Sequence, residues 1–286
     1  MTIEIQSLTV AIGAEVRGVD LGTELSEENV RVLRGALLEN LVLVFRDQDL
    51  TPESHIAVAR AFGEIKRPPV ATAHGGPPEI NVLDQTEPRG EGADAWHADN
   101  TYTSAPPMGS LLRVLQLPPV GGDTAFASMY AAYEALSPVM RELCDELTAV
   151  HDVTRSIIKA IARGHSTANL AEIQAKFPPV EHPVVIVHPE TGRRALFVNV
   201  NSTARIVGLR EEESDMLLRF LFEHTKSPEF QVRVKWDEQS LVFLDNRCTQ
   251  HYAVADYHDR RVLHRVAIEG EPPRGIDHAA ASSGSR

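Results

Sequence analysis

Hydrophobic and polar positions in the first 66 residues alternate between strand-like and helix-like spacing. Apolar positions repeat at helical spacing over 27–40, after Ser26, and the apolar run LVLVF at 41–45 is typical of a strand. Thr51 and Pro52 suit the N-cap and first position of a second helix that continues through 53–62, and Gly63 suits its end. The pattern predicts helices that buttress a sheet.

Strand signals dominate from residue 79 onward. Each apolar run is bounded by Gly, Pro, Asn or Asp, and helical spacing returns only at 128–147 and 211–226. Many short strands with turns between them favour a barrel or jelly roll. We therefore predict a mainly β fold with flanking helices. The predicted strands are 79–84, 95–102, 111–117, 184–189, 195–200, 230–236, 240–246 and 260–270.

Two segments, 67–95 and 153–181, lack clean periodicity and are rich in Pro, Gly, Ala and charge, so we expect long loops there, beside the active site. The small, polar stretch 276–286 is predicted to be a disordered tail. With 286 residues, 43% of them hydrophobic, the chain can build one large core. A single domain over 1–286 is the prediction.

Composition excludes several classes of partner. The formal net charge of -12 disfavours nucleic acid and anionic membrane surfaces. No apolar run approaches the length of a membrane span, and the start of the chain does not have the form of a signal peptide, so we expect a cytoplasmic protein. The two cysteines, Cys144 and Cys248, are too few for a disulfide framework.

A candidate metal site begins at His97 and Asp99. In a strand, residues two apart point to the same side, so this imidazole and this carboxylate could chelate one ion. Two imidazoles and a carboxylate on one side of a metal leave three positions open, which suits iron(II) oxygenases. The pair alone is close to chance expectation in a chain with 12 histidines. A half-buried histidine that hydrogen-bonds to the aspartate is an equal alternative.

The segment 241–270 adds His251, expected just after a strand, and a pair of arginines. Arg261 and Arg265 are four residues apart on a predicted strand, so their side chains lie on one side of it. Inward arginines are costly unless each meets an anion, whereas an outward, solvated face is the simpler alternative.

These motifs together resemble the taurine dioxygenase and chlorophenoxyacetate dioxygenase family. The likeness covers about residues 5–272, and the motifs occur in the same order and spacing. They are His97-x-Asp99, the loop Gly121-Gly122-Asp123-Thr124, Ala127-Ser128-Met129, Asp245-Asn246-Arg247 before His251, and Arg261 with Arg265.

The resemblance implies a double-stranded β-helix, or jelly roll, and a dioxygenase that uses Fe(II), 2-oxoglutarate and O2. It makes His97, Asp99 and His251 the metal ligands and catalytic centre. Arg261 and Thr124 would bind the 2-oxoglutarate carboxylate, and Arg265 the acidic group of the primary substrate. The reaction would hydroxylate a small organic anion while 2-oxoglutarate is decarboxylated to succinate and CO2. A homo-oligomer, dimer or tetramer, is also implied.

The sequence differs from the taurine enzymes around the expected substrate pocket. Pro68, Ala71 and Ser202 stand where those enzymes carry polar or aromatic groups, and Leu244 stands in place of a tryptophan. Smaller groups predict a larger and less polar pocket. We therefore expect a substrate bulkier than taurine, such as an alkyl sulfonate, a sulfate ester or an aryloxyalkanoate, with taurine itself still open.

Two other classes of function compete with this interpretation. A metal-dependent hydrolase or cupin-like isomerase could use the same three ligands, but it would not need Arg261 and Thr124 for a dicarboxylate. A non-catalytic anion-binding barrel would leave the three ligands without a purpose.

Overall fold

The computed structural model describes residues 2–68, 76–88 and 92–277. The strands are β1 Glu4–Ser7, β2 Ala14–Arg17, β3 Val42–Phe45, β4 Ile65–Lys66, β5 Ile80–Gln85, β6 Gly109–Gln116, β7 Thr124–Ser128, β8 Thr148–His151, β9 Val180–Pro183, β10 Val185–Val187, β11 Arg194–Leu196, β12 Thr203–Ile206, β13 Gln231–Val234, β14 Leu241–Asp245, β15 Thr249–Ala253 and β16 Arg261–Ile268. The helices are α1 Glu27–Asn40, α2 Pro52–Phe62, α3 Met129–Glu134, α4 Pro138–Asp145, α5 Thr154–Ala162, α6 Leu170–Lys176 and α7 Glu211–His224, with 3₁₀ turns at Gly92–Asp94 and Pro228–Phe230.

The strands form one large sheet and several smaller ones. The large sheet has the order β1-β2-β3-β14-β6-β16-β4, and β5 also pairs with β16. A three-stranded sheet, β13-β7-β15, contributes to the same core, and the remaining strands form the sheets β12-β8-β9 and β10-β11. The mainly β prediction is confirmed, and the jelly roll is the fold of the solved relatives described below.

Two hydrophobic clusters hold the large sheet from opposite faces. Val42 and Val44 of β3 join the cluster that includes Phe126 of the smaller sheet. Their neighbours Leu43 and Phe45 point the other way and pack with residues of α1 and α2. A strand buried on both faces reads as a continuous apolar run, which is why LVLVF carries no alternation.

Local sequence sets the ends of the first two helices as predicted. The Ser26 side chain accepts a hydrogen bond from the backbone of Asn29 and caps α1. Thr51 caps α2 in a reciprocal box with Ser54, Pro52 is the first helical residue, and the helix ends at Gly63. The first of these helices also brings Nε of Arg34 to within 2.7 Å of Oε2 of Glu190, which lies between β10 and β11.

Three predictions about local structure are wrong. The stretch 95–102 is not a strand; it contains a single bridge pair, between His97 and His251, followed by turns. The backbone of Asp99 is instead bonded by the side chain of Asn246. His251 does not follow a strand but lies within β15.

The segment 153–181 is not a long loop, since α5 and α6 occupy much of it. Its two helices are short, nine and seven residues, and the second has no buried residue, so an amphipathic pattern had little length in which to show itself. Within 67–95, the described residues include β5 and a 3₁₀ turn.

Ala71 and positions 278–286 of the predicted tail lie outside the described residues. Among the helices that are described, none has the length and apolar character required to cross a bilayer.

Candidate functional site

His97 and His251 meet across the bridge between the 95–102 segment and β15. Each backbone amide donates to the carbonyl of the other residue, at 3.0 and 2.8 Å, and the ring centroids lie 4.3 Å apart. On its other side, the His251 ring stacks on Phe126 of β7 at 5.8 Å. The two imidazoles therefore have fixed backbones and a shared direction.

Asp99 completes the cluster through contacts to three other parts of the chain. Its backbone N–H donates to Asn246 Oδ1 at 2.7 Å, and Asn246 Nδ2 donates back to the Asp99 carbonyl at 3.0 Å. The Ser110 hydroxyl of β6 donates to Asp99 Oδ2 at 3.0 Å. Oδ1 lies 3.7 Å from His97 Nε2 and also pairs with Nη1 of Arg265. One ligand atom of each of His97, Asp99 and His251 lies within 4.8 Å of the others.

The protonation states of the cluster suit a divalent metal. His97 Nδ1 donates to the Ala95 carbonyl at 2.8 Å, which leaves the lone pair of Nε2 free to bind. Burial lowers the pKa of His251 to about 3, so this imidazole is neutral, and its Nδ1 has no hydrogen-bond partner. Although burial alone would raise the pKa of Asp99, the guanidinium of Arg265, the adjacent histidines and the Ser110 hydroxyl together hold it well below its usual range. Two neutral imidazoles and one carboxylate form a donor set that fits iron(II).

Arg261 lies buried at the start of β16 and is fixed by two neutral oxygens. Its Nε donates to the Gly122 carbonyl at 2.8 Å and its Nη2 to Thr124 Oγ1 at 3.0 Å. Burial lowers the pKa of this guanidinium, and the two hydrogen bonds supply no negative charge. Three of its five N–H groups remain for another acceptor. The predicted inward direction of Arg261 agrees with its 4% exposure.

Thr124 has a hydroxyl whose two acceptor positions are both occupied. Arg261 Nη2 and Trp236 Nε1 each donate to Thr124 Oγ1 at 3.0 Å. A hydroxyl that accepts twice still has one proton to donate. That proton and the remaining N–H groups of Arg261 together make a site for a carboxylate.

Arg265 lies four residues further along β16, where its side chain reaches Asp99 of the ligand cluster. Besides pairing with Asp99, it has a buried Nε without a hydrogen-bond partner. It borders a small cleft together with Pro68, Asn81 and Asn100. A half-satisfied guanidinium at such a cleft is suited to bind an external anion.

Three further buried histidines have structural roles. His188 accepts two backbone N–H groups at Nδ1 and donates from Nε2 to Asp245 at 3.1 Å, so both nitrogens are used. Asp245 also binds Arg247, which leaves little capacity for a metal there. His151 bonds Thr101, and His182 donates to backbone carbonyls.

Sequence reasoning missed Ser110, Asn246 and Trp236 as site residues. Asn246 lay within a recognised motif, but its contact with Asp99 spans 147 positions. The tryptophan closed an ordinary predicted strand, and a single serine before an apolar strand carries no signal of its own. Only the strand pairing that sets β6 between β14 and β16 brings Ser110 to the carboxylate.

Comparison with known families gives a match over most of the chain. The model of the family described as "Taurine catabolism dioxygenase TauD, TfdA family" matches residues 4–267. That range contains all the residues of the cluster described above.

Individual relatives agree with this match. An alkylsulfatase of Acinetobacter baylyi is 37% identical over 96% of this chain and 87% of its own length. An alpha-ketoglutarate-dependent sulfate ester dioxygenase of Pseudomonas putida is 35% identical over 97% and 93%. Among solved structures, a taurine dioxygenase from Burkholderia xenovorans superposes with a TM-score of 0.83 at 38% identity, covering 96% of this chain and 92% of that one.

Proposed function

Because this chain belongs to the TauD/TfdA family of taurine catabolism dioxygenases, we propose that it is a non-haem iron(II) enzyme that oxidises a small organic anion with O2 and 2-oxoglutarate. The observation that carries the proposal is the juxtaposition of a two-histidine, one-carboxylate cluster with two separate arginine sites. A metal, a dicarboxylate and a second anion each have a matching group of side chains.

His97, Asp99 and His251 would hold the iron. Their donor types and neutral imidazoles support this assignment, and the iron, when bound, would supply the activation of O2. Three ligands leave three coordination positions, which is the number needed for a chelating 2-oxo acid and O2 together.

Arg261 and Thr124 would bind the distal carboxylate of 2-oxoglutarate. The guanidinium is held from behind by Gly122 and Thr124, so its remaining N–H groups are already oriented for a planar carboxylate. The free hydroxyl proton of Thr124 adds one more donor beside the remaining N–H groups of Arg261. A buried cation gains more from this carboxylate than an exposed one would, although Asp94 and Asp123 already offset part of its charge.

Arg265 would bind the acidic group of the primary substrate, and we propose an alkyl sulfate ester as the first compound to test. Pro68, which stands where the taurine enzymes carry a polar or aromatic group, borders the cleft beside Arg265, and this smaller side chain supports a substrate bulkier than taurine; most other residues of the cleft are polar or charged. The alkylsulfatase and the sulfate ester dioxygenase among the relatives point to the same class. Hydroxylation of the carbon that bears the sulfate would give an unstable product, which collapses to an aldehyde and inorganic sulfate.

The protein's own part in the reaction would be orientation and exclusion of water. With the two anions bound at Arg261 and Arg265, the reacting carbon is fixed relative to the ligand cluster between them. The 2-oxo acid loses CO2 and becomes succinate as one oxygen atom is transferred to the substrate.

The test measures succinate and sulfate release from alkyl sulfates, alkyl sulfonates, taurine and aryloxyalkanoates, with iron(II) added. We expect substrate-dependent succinate for a bulkier anion and at least a hundredfold loss in the His97→Ala and Asp99→Ala variants. Succinate formation that survives both substitutions would overturn the ligand assignment. A preference for taurine of at least tenfold over every bulkier anion would overturn the substrate assignment.

An anaerobic titration distinguishes the proposed dioxygenase from the competing metal-dependent hydrolase. Iron(II) and 2-oxoglutarate together should give a weak visible charge-transfer band in the wild-type protein. A hydrolase that uses zinc or manganese would give no band and would release product without O2.

A further inference from the structure

The two oxygens of the Asp99 carboxylate have different partners. Oδ1 faces the histidines, 3.7 Å from His97 Nε2, and pairs with Arg265. Oδ2 faces away from them and accepts the hydroxyl proton of Ser110 at 3.0 Å. Asp99 is 2% exposed and Ser110 is fully buried, so water does not compete for this hydrogen bond.

Ser110 itself is held on both sides by the large sheet. Its neighbours in register are Leu244 of β14 and Ala267 of β16. Asn246 fixes the backbone of Asp99 at the same time. The remaining freedom is therefore the rotation of the carboxylate about its own side-chain bonds, which the Ser110 hydroxyl restricts at Oδ2 and Arg265 restricts at Oδ1.

We infer that Ser110 is a positioning residue that reserves Oδ2 and leaves Oδ1 as the one oxygen of Asp99 for the metal. The inference rests on the proposed ligand set. A carboxylate that bound through both oxygens would occupy one of the three positions that a chelating 2-oxo acid and O2 require. By holding Oδ2, Ser110 keeps that position open.

A purely structural role for Ser110 makes a different prediction. A buried hydroxyl that only satisfies a carboxylate would affect the stability of the metal-free protein and nothing more. A residue that orients a metal ligand also changes metal affinity, by about 10-fold to 100-fold in known second-layer contacts. Metal binding therefore separates the two roles.

The experiment titrates the metal-free full-length protein with Mn(II), which avoids oxidation of iron, and then titrates the Mn(II)-loaded protein with 2-oxoglutarate. For Ser110→Ala we expect a roughly tenfold rise in the Kd for Mn(II), and a weaker affinity for 2-oxoglutarate than in the wild type. Ser110→Cys keeps a weak donor and should fall between the two. If the alanine variant does not fold, the Mn(II) affinity of Ser110→Cys distinguishes a positioning role from a purely structural one.

Ser214→Ala is the matched control. Ser214 of α7 is 2% exposed, and its hydroxyl accepts a hydrogen bond from the Ile206 amide at 2.9 Å, away from the ligand cluster. This variant should lose stability but bind Mn(II) and 2-oxoglutarate like the wild type.

A crystal structure of Mn(II)-loaded Ser110→Ala should show Asp99 turned so that both oxygens approach the ion. The inference is overturned if Ser110→Ala and Ser110→Cys bind Mn(II) as tightly as the wild type, or if Asp99 keeps one-oxygen coordination without the hydroxyl. Wild-type affinity for Mn(II) in His97→Ala would instead overturn the proposed ligand set, a result independent of Ser110.

Discussion

Thr124 offers a sharp test of the co-substrate site, because its hydroxyl accepts from two donors and has one proton left to donate. Replacement by valine preserves the shape of the side chain but removes the acceptor of Trp236 Nε1 and Arg261 Nη2. It also removes the proton proposed to reach the distal carboxylate of 2-oxoglutarate. Affinity for 2-oxoglutarate should therefore fall more than affinity for the primary substrate.

The expected magnitude follows from the contacts that are lost. A hydrogen bond to a charged group contributes about 1.5–3 kcal/mol, which corresponds to roughly a 10-fold to 150-fold rise in the Kd for 2-oxoglutarate at about 1.4 kcal/mol per factor of ten. The unpaired indole N–H of Trp236 should lower the free energy of unfolding by a further 1–3 kcal/mol, approximately, since Trp236 is 4% exposed.

The assay is an anaerobic titration of the iron(II)-loaded protein with 2-oxoglutarate, followed in the visible band. Thr124→Ser keeps the hydroxyl and should bind within about threefold of the wild type, well under one hydrogen bond in free energy. Thr203→Val is a matched control, because Thr203 is fully buried and its hydroxyl accepts a backbone amide at 2.9 Å. If Thr124→Val binds 2-oxoglutarate like the wild type, or if Thr124→Ser is impaired equally, the assigned role of the hydroxyl is wrong.

Three other predictions concern the arginines and a buried histidine. Arg265→Gln should reduce kcat/KM for the primary substrate on the order of 100-fold, while the Kd for 2-oxoglutarate stays close to the wild-type value; an equal loss of both would contradict separate sites. Gly122→Ala should weaken 2-oxoglutarate binding, because Gly122 has φ +75° and a Cβ there would lie 3.2 Å from the Arg261 side chain; an unchanged Kd would show that Arg261 is not displaced. Burial lowers the pKa of His151 to about 3 from an unfolded value of 6.5, so its neutral form stabilises the fold fully above pH 6.5 and this contribution is lost as the pH falls toward 3. At pH 5 the loss is about 2 kcal/mol, to be measured by denaturant unfolding of the metal-free protein, and a His151→Gln variant with the same pH slope as the wild type would refute it.

Much of the fold was accessible from the sequence because it depends on neighbours along the chain. Ser26 and Thr51 cap their helices through residues three positions away, and Gly63 ends α2. The apolar runs that became β6, β14 and β16 were likewise visible, because strands buried in a large sheet are continuous and bounded by turn residues. The helices α5 and α6 were not predicted, because segments of about two turns are too short for a helical period of apolar residues to be recognised.

The 95–102 segment shows that residues predicted to lie together can do so on a local structure other than the predicted one. Strand alternation placed His97 and Asp99 on one side, yet the segment turns after His97 and no strand continues through Asp99. Asn246 and Ser110 supply the orientation that the strand was expected to give. These contacts join distant parts of the sequence, so no local pattern could predict them.

The two arginines of β16 differ in their surroundings, and this difference would let one strand discriminate between the two anions proposed to bind there. The hydrogen bonds that Arg261 donates go to neutral oxygens, and the charges of Asp94 and Asp123 act on it through space, so a carboxylate there would meet a buried cation that is only partly compensated. Arg265 already pairs with Asp99, so an anion there shares a cation with a metal ligand and gains less. The proposed co-substrate would thus have the site with the larger electrostatic gain, and the primary substrate would have the site with the smaller one.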